Sequence, residues 1–303
     1  MVSSAAFAGP MSSIADSYHN LGANNIRTTT PNGGPDPNHS TDTAEICVFC
    51  HTPHGGDNSA AVPIWNRKLN DPQSYTRYSS LGTSTFDATE APVGSVTIAC
   101  LSCHDGTQAI DSVINAPGSG GYNVDGARIG TGFSGTDQVN GQLAPGIVQN
   151  LGTDLSNDHP VSMQYAGGGV SVTQPDGPTN DPDFVAGQND AHPRSFTLNN
   201  MAAPSNGSIS RLWWIERNDL SLENGSRDRT DIILYTRIEA DVPGGEQPFV
   251  ECGSCHDPHL ETTTFLRMVG EVDTATQRNQ TSANNGANMS NAGSRVCLTC
   301  HTK

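Results

Sequence analysis

Cys47-Val48-Phe49-Cys50-His51-Thr52-Pro53-His54 recurs in outline two hundred residues later as Cys252-Gly253-Ser254-Cys255-His256-Asp257-Pro258-His259. Both octapeptides open on Cys-x-x-Cys-His and close on Pro-His. Two further pentapeptides, Cys100-Leu101-Ser102-Cys103-His104 and Cys297-Leu298-Thr299-Cys300-His301, use up the remainder of the 8 cysteines. With 10 His in 303 residues, a His after all four Cys pairs would arise by chance on the order of once in a million. The pattern is the c-type haem attachment signature. Two thiols one short turn apart add to the two vinyl groups of a porphyrin, and the next residue turns its imidazole beneath the iron. Four motifs thus predict four covalently attached c-type haems.

Zinc and disulfides explain the pattern less well. A zinc ribbon needs a second Cys pair roughly 15 to 20 residues on, whereas Cys50 and Cys100 lie much further apart; neither chemistry accounts for the invariable His. Composition agrees with a haem-built protein. A hydrophobic fraction of 34% alongside 32 Gly and 19 Pro leaves little conventional core, and porphyrins would supply the missing apolar mass. The expected fold is a multihaem cytochrome c type. It is coil-rich, with short helices at the motifs and a small β-hairpin, folded around a chain of four haems.

The flanks indicate an internal duplication. Motifs one and three share Pro-His, while motifs two and four share Cys-Leu-[Ser/Thr]-Cys-His. The expected organisation is a signal-peptide remnant over 1–8, an N-terminal haem-pair region over 9–110, an insert over 111–244 and a C-terminal haem-pair region over 245–303. The insert begins Gly-rich, through Gly118-Ser119-Gly120-Gly121 and Gly167-Gly168-Gly169. Later it carries strand signals over Ile209 to Glu216 and Asp231 to Glu239, with Trp213 and Trp214 expected to pack into the local hairpin.

Asp and Glu number 31 against 15 Lys and Arg, a formal charge of -16. Without basic clusters, nucleic acid is excluded as a partner. No apolar run reaches the ~18 residues that cross a bilayer. Ala6-Phe7-Ala8 reads as the end of a cleaved export signal, and the expected location is extracellular or cell-surface, with the periplasm as the alternative.

Axial ligation sets what the haems do. His51, His104, His256 and His301 each supply one ligand, and six His remain: His19, His39, His54, His159, His192 and His259. Bis-His ligation at every iron suits electron transfer rather than substrate chemistry. His54 and His259 follow their motif His too closely to reach around the same porphyrin, so each is expected to serve another haem. The simplest assignment sends His54 to the haem of Cys100 and Cys103, and His259 to that of Cys297 and Cys300. His159, beside Asp158 and Pro160, and the upstream His19 are the remaining candidates. His39 and His192 are expected in solvated loops, and Met163 and Met268 lack a ligand context.

Tyr18-His19-Asn20-Leu21, Thr41-Asp42 leading into motif one, Asn157-Asp158-His159-Pro160-Val161 and Cys255-His256-Asp257-Pro258-His259 resemble the doubled Cys-x-x-Cys-His multihaem cytochromes of metal-respiring bacteria. At four haems on this length, the likeness is to the extracellular OmcE-like tetrahaem cytochromes. That resemblance implies polymerisation into a conductive filament, in which a His of one subunit completes a haem of the next. His19, on a terminal segment, is favoured for that role. It also implies electron exchange with other redox proteins or extracellular acceptors. A discrete periplasmic or secreted tetrahaem shuttle is the alternative. A multihaem reductase would need an open or Lys-ligated iron, and no Cys-x-x-Cys-Lys occurs.

Three sequons, at Asn206, Asn224 and Asn279, read as plain loops, and Asp181-Pro182-Asp183 lacks a calcium-loop spacing. If porphyrin supplies the core, the chain will fold only when haem is attached. Circular dichroism of unmatured protein should lack the native spectrum, and a native-like apo spectrum would refute the expectation.

Overall fold

The computed structural model describes residues 14–24, 38–84, 86, 88–118, 120–130, 132–186, 196–204, 209–217, 227, 229, 231–242, 244–260, 265–267, 296–297 and 299–302. The signal remnant at 1–8, His192, Met268 and the three sequons lie outside them. None of the described helices is long and apolar enough to cross a membrane.

Among the described residues, α-helix occurs only at the Cys-x-x-Cys-His motifs. Motif one is a 3-10 turn, Cys47–Phe49. Motif two ends helix α1, Ser95–His104. Motif three is the single turn α2, Cys252–Cys255, and residues 296–297 and 299–300 of motif four are helical. A single turn has too few internal bonds to persist alone, so tertiary contacts hold these segments. Helix α1 is buried on every side, through Val96, Thr97, Ile98, Ala99, Leu101 and Ser102.

Strands β1 (His39–Ser40), β2 (Ser112–Asn115), β3 (Tyr122–Arg128), β4 (Phe133–Ser134), β5 (Gln138–Val139) and β6 (Gln142–Leu143) form three antiparallel ribbons, β1 with β4, β2 with β3 and β5 with β6. The remaining strands, β7 (Met163–Gln164), β8 (Phe196–Ala202), β9 (Arg211–Arg217), β10 (Ile232–Arg237) and β11 (Gln247–Val250), form one antiparallel sheet in the order β7-β11-β10-β9-β8. The strand signals over 209–216 and 231–239 correspond to β9 and β10, yet a small hairpin understates the result. Strand β8 carries two adjacent Asn and β11 contains Pro248, which weaken any local strand signal. Pairing with β9 and β10 overrides them.

Alternation along the strands collects Leu198, Trp213, Ile215, Ile232 and Leu234 on one face, where register sets Leu198 and Ile232 beside Ile215 and Leu234 beside Trp213. All five are at most 2% exposed and pack with Tyr165, Val170 and Val185. Cys255 and Cys300 lie against this cluster. Trp214, on the opposite face, is also buried. Cys50 is packed by two other clusters, one built on Trp65, Tyr75, Ile98 and Leu101 and one on Leu21, Val48, Phe49 and Ile110.

Strand β11 runs directly into α2. The sheet therefore spans the boundary expected at 244, tying the insert to the C-terminal motifs. Leu198→Ala should cost about 3 kcal/mol, from lost burial plus a residual cavity. Val148→Ala, at a side chain 85% exposed, should stay within about 0.5 kcal/mol; chemical denaturation of the mature protein measures both.

Candidate functional site

The four motifs meet in chain order. Cys50 and Cys103 are close enough for each charge to matter to the other. The side chains of Cys100 and Cys252 are hydrogen-bonded across α1 and α2. Cys255, Cys297 and Cys300 form a third group. None of the eight cysteines is in a disulfide. Burial pushes the Cys50 thiol up to about 12 and Cys255 up to about 11. Among the described residues, no three or more His, Cys, Asp or Glu converge as a metal cage.

The contact between motifs two and three is built from Thr97 and Glu251. The Thr97 hydroxyl donates to Glu251 Oε2 at 2.5 Å and accepts the Cys252 N–H at 3.0 Å. Glu251 Oε1 accepts from Arg237 at 2.8 Å, and Oε2 also accepts from Ser162 at 3.1 Å. Beside Cys252, a Cβ on Gly253 would collide with the Tyr235 hydroxyl of β10 and crowd Val96 of α1, so glycine lets α2 sit close to both.

Two pairs of imidazoles face each other. The rings of His51 and His259 lie 6.4 Å apart between centres with planes at 12°, and those of His104 and His19 lie 6.1 Å apart at 81°. Rings in stacking contact would be closer. Two imidazoles on opposite sides of one haem iron stand roughly 6 Å apart between centres, given Fe–N bonds of about 2 Å. The spacing of both pairs fits that group.

Hydrogen bonds fix which nitrogen of these rings is free. His51 Nδ1 lies 2.8 Å from the Pro63 carbonyl and His104 Nδ1 2.8 Å from the Gln149 carbonyl. His259 Nδ1 lies 3.0 Å from Asp257 Oδ1. Each partner accepts the Nδ1–H and leaves Nε2 as a donor atom for a metal, the arrangement that orients ligating histidines generally. His19 differs. Its Nδ1 is buried without a hydrogen-bond partner, and its ring lies 4.2 Å from that of Phe265. Burial and the neighbouring His104 lower its pKa to about 3, so the ring is neutral and able to ligate. Ser17 and Asn20, both buried, hold the turn on which His19 sits.

These placements revise the expected pairings. The His259 ring lies opposite that of His51 in motif one, not beside motif four. His54 does not approach His104, which is matched by His19. The His19 ring packs 4.2 Å from that of Phe265 of the same chain. His54 is exposed beside a cavity of about 440 Å³ lined by Cys47, His51 and Asn115. Only its backbone carbonyl is hydrogen-bonded, to Thr52 and Asn115.

His159 lies near His301 and His256; partial desolvation and those two rings lower its pKa. Its ring is hydrogen-bonded to the backbone of Pro160, and the buried Oδ2 of Asp158 has no partner among the described residues. The His301 ring packs on Phe184 at 4.3 Å, with Asp181 and Asp183 opposing the effect of burial on its pKa. His39 sits in β1 opposite Ser134, and Met163 is buried in the sheet.

Sequence reading did not single out Glu251, Thr97 and Arg67. For Glu251 and Arg67 the one signal is scarcity, since charged residues make up only 15% of the chain and both lie within seventeen residues of a motif. It also passed over the acid within Asp257-Pro258-His259. Burial opposes the ionisation of Asp257, but His259, Arg229 and Arg267 outweigh it and hold the carboxyl well below the usual carboxylate range. With a depressed folded pKa, its contribution to stability is full above the unfolded value of about 4 and is lost as pH falls toward the folded value.

Asp257→Asn weakens the acceptor that orients His259, a change that costs metal sites roughly 10- to 100-fold. If each motif carries a haem, the reduced protein with this substitution should bind carbon monoxide at one haem in four, read in the difference spectrum, while the parent binds none. Identical spectra would count against the assignment of His259.

Comparison of the chain with protein-family models and with curated proteins gave no match.

Proposed function

We propose that the chain is a tetrahaem c-type cytochrome that carries electrons through four bis-His haems and assembles into an extracellular filament. The observation that supports it most is the pair of imidazole couples, His51 with His259 and His104 with His19, set at the spacing of axial ligands beside their Cys-x-x-Cys motifs. Cys47 and Cys50, Cys100 and Cys103, Cys252 and Cys255, and Cys297 and Cys300 would each anchor one porphyrin. His51, His104, His256 and His301 would ligate the irons, together with His19, His159 and His259.

Bound there, c-type haem supplies one-electron iron chemistry. The chain's own residues do the rest. Pro63, Gln149 and Asp257 hold three rings in the tautomer that presents Nε2. The sheet core excludes water from Cys255 and Cys300, and the Trp65 and Leu21 clusters do so at Cys50. Thr97 and Glu251 clamp motif two to motif three, so the succession of sites runs unbroken from the first motif to the fourth.

The filament follows from the resemblance to OmcE-like cytochromes. With His19 internal, exposed His54 becomes the candidate to complete a haem of a neighbouring subunit. Pyridine haemochrome analysis of exported protein should return four haems per chain, and a colourless product would overturn the proposal. Negative-stain microscopy should show filaments, which His54→Ala should abolish without changing haem loading. Discrete particles of the parent protein carrying four haems would favour the shuttle reading.

A further inference from the structure

Arg67 is fully buried, and all five of its N–H donors reach neutral oxygens. Nε donates to Ser102 Oγ at 3.2 Å, Nη1 to the carbonyls of Ile110 at 2.6 Å and Ser112 at 2.9 Å, and Nη2 to those of Ser102 at 2.7 Å and Ala109 at 2.9 Å. Among the described residues, no carboxylate pairs with it. The other well-buried arginines are paired, Arg237 with Glu239 and Glu251 and Arg267 with Asp257. A buried cation without a counter-charge is costly, and only its full set of hydrogen bonds offsets that cost.

This charge sits where motifs one and two meet. Ser102, which takes two of the five bonds, lies between Cys100 and Cys103 of motif two. The preceding residue, Asn66, donates its N–H to the Cys50 carbonyl at 2.9 Å and its side-chain amide to the Val48 carbonyl at 2.7 Å, both in motif one. A fixed positive charge favours whichever oxidation state of a nearby iron holds one more electron, and the effect is large where water is excluded. The nearest motif-side acid, Asp105, is already engaged by Tyr75, Asn70 and Thr107.

We infer that Arg67 is a built-in electrostatic bias that raises the reduction potentials of the haems at motifs one and two above those their ligands alone would set. The inference rests on the tetrahaem reading. Because a guanidinium stays charged at any accessible pH, the bias is independent of pH, unlike one from a titrating acid.

Spectroelectrochemical titration of the holoprotein tests it. Arg67→Gln should lower the midpoints of two of the four haems, equally at pH 6 and pH 9, and leave the other two in place. Arg67→Lys, which keeps the charge but forfeits the fork of hydrogen bonds, should retain the parent midpoints while losing thermal stability. Unmoved midpoints in a fully loaded Gln variant would overturn the inference, as would equal lowering by Lys and Gln. Should the Gln variant fail to load haem, Asp105→Asn removes the opposing charge; the same two midpoints should rise, and unmoved ones would again overturn it. Haem absent from the parent protein would instead overturn the tetrahaem reading itself.

Discussion

One buried carboxylate joins the two halves of this chain. Glu251 lies 154 residues beyond Thr97 and accepts its hydroxyl at 2.5 Å, while Arg237 and Ser162 satisfy the remaining lone pairs. Burial pushes the Glu251 pKa up, and Arg237 and Thr97 pull it back toward ionisation. Removing a partner from such a group strands a charge in a dry interior, at a cost of about 3–5 kcal/mol. The same residue caps α2, where its N–H donates to Ser254 Oγ at 2.9 Å. The turn that bears Cys252 and Cys255 thus owes its position to the Glu251 side chain and its capping to the same residue's backbone N–H.

Around that joint the protein arranges imidazoles by means of carbonyls and one carboxylate. Pro63 and Gln149 come from loops far outside the motifs they serve, and Asp257 is itself held by Arg229 at 2.8 Å. These acceptors choose a tautomer and a ring orientation. The turn that bears His19 is held by buried Ser17 and Asn20.

The local content of the site was legible in the amino acids. Cys-x-x-Cys-His sets two thiols and one imidazole within one short turn, where spacing alone fixes geometry. The strands over 209–216 and 231–239 were legible for a similar reason, since β-branched and aromatic residues cluster there. Strands β8 and β11 were not, because Asn199, Asn200 and Pro248 carry no strand preference of their own and are recruited by pairing.

What the chain alone determined, therefore, is the position of the four Cys-x-x-Cys-His motifs and of the His that closes each. Which distant imidazole faces which motif was decided by tertiary structure. His259 lies beside motif three in sequence yet faces His51, and His19 crosses to His104. Partners separated by tens to hundreds of residues leave no periodicity or spacing to read. They are set by the buried Thr97–Glu251 joint and the closeness that Gly253 permits, both products of packing rather than of local sequence.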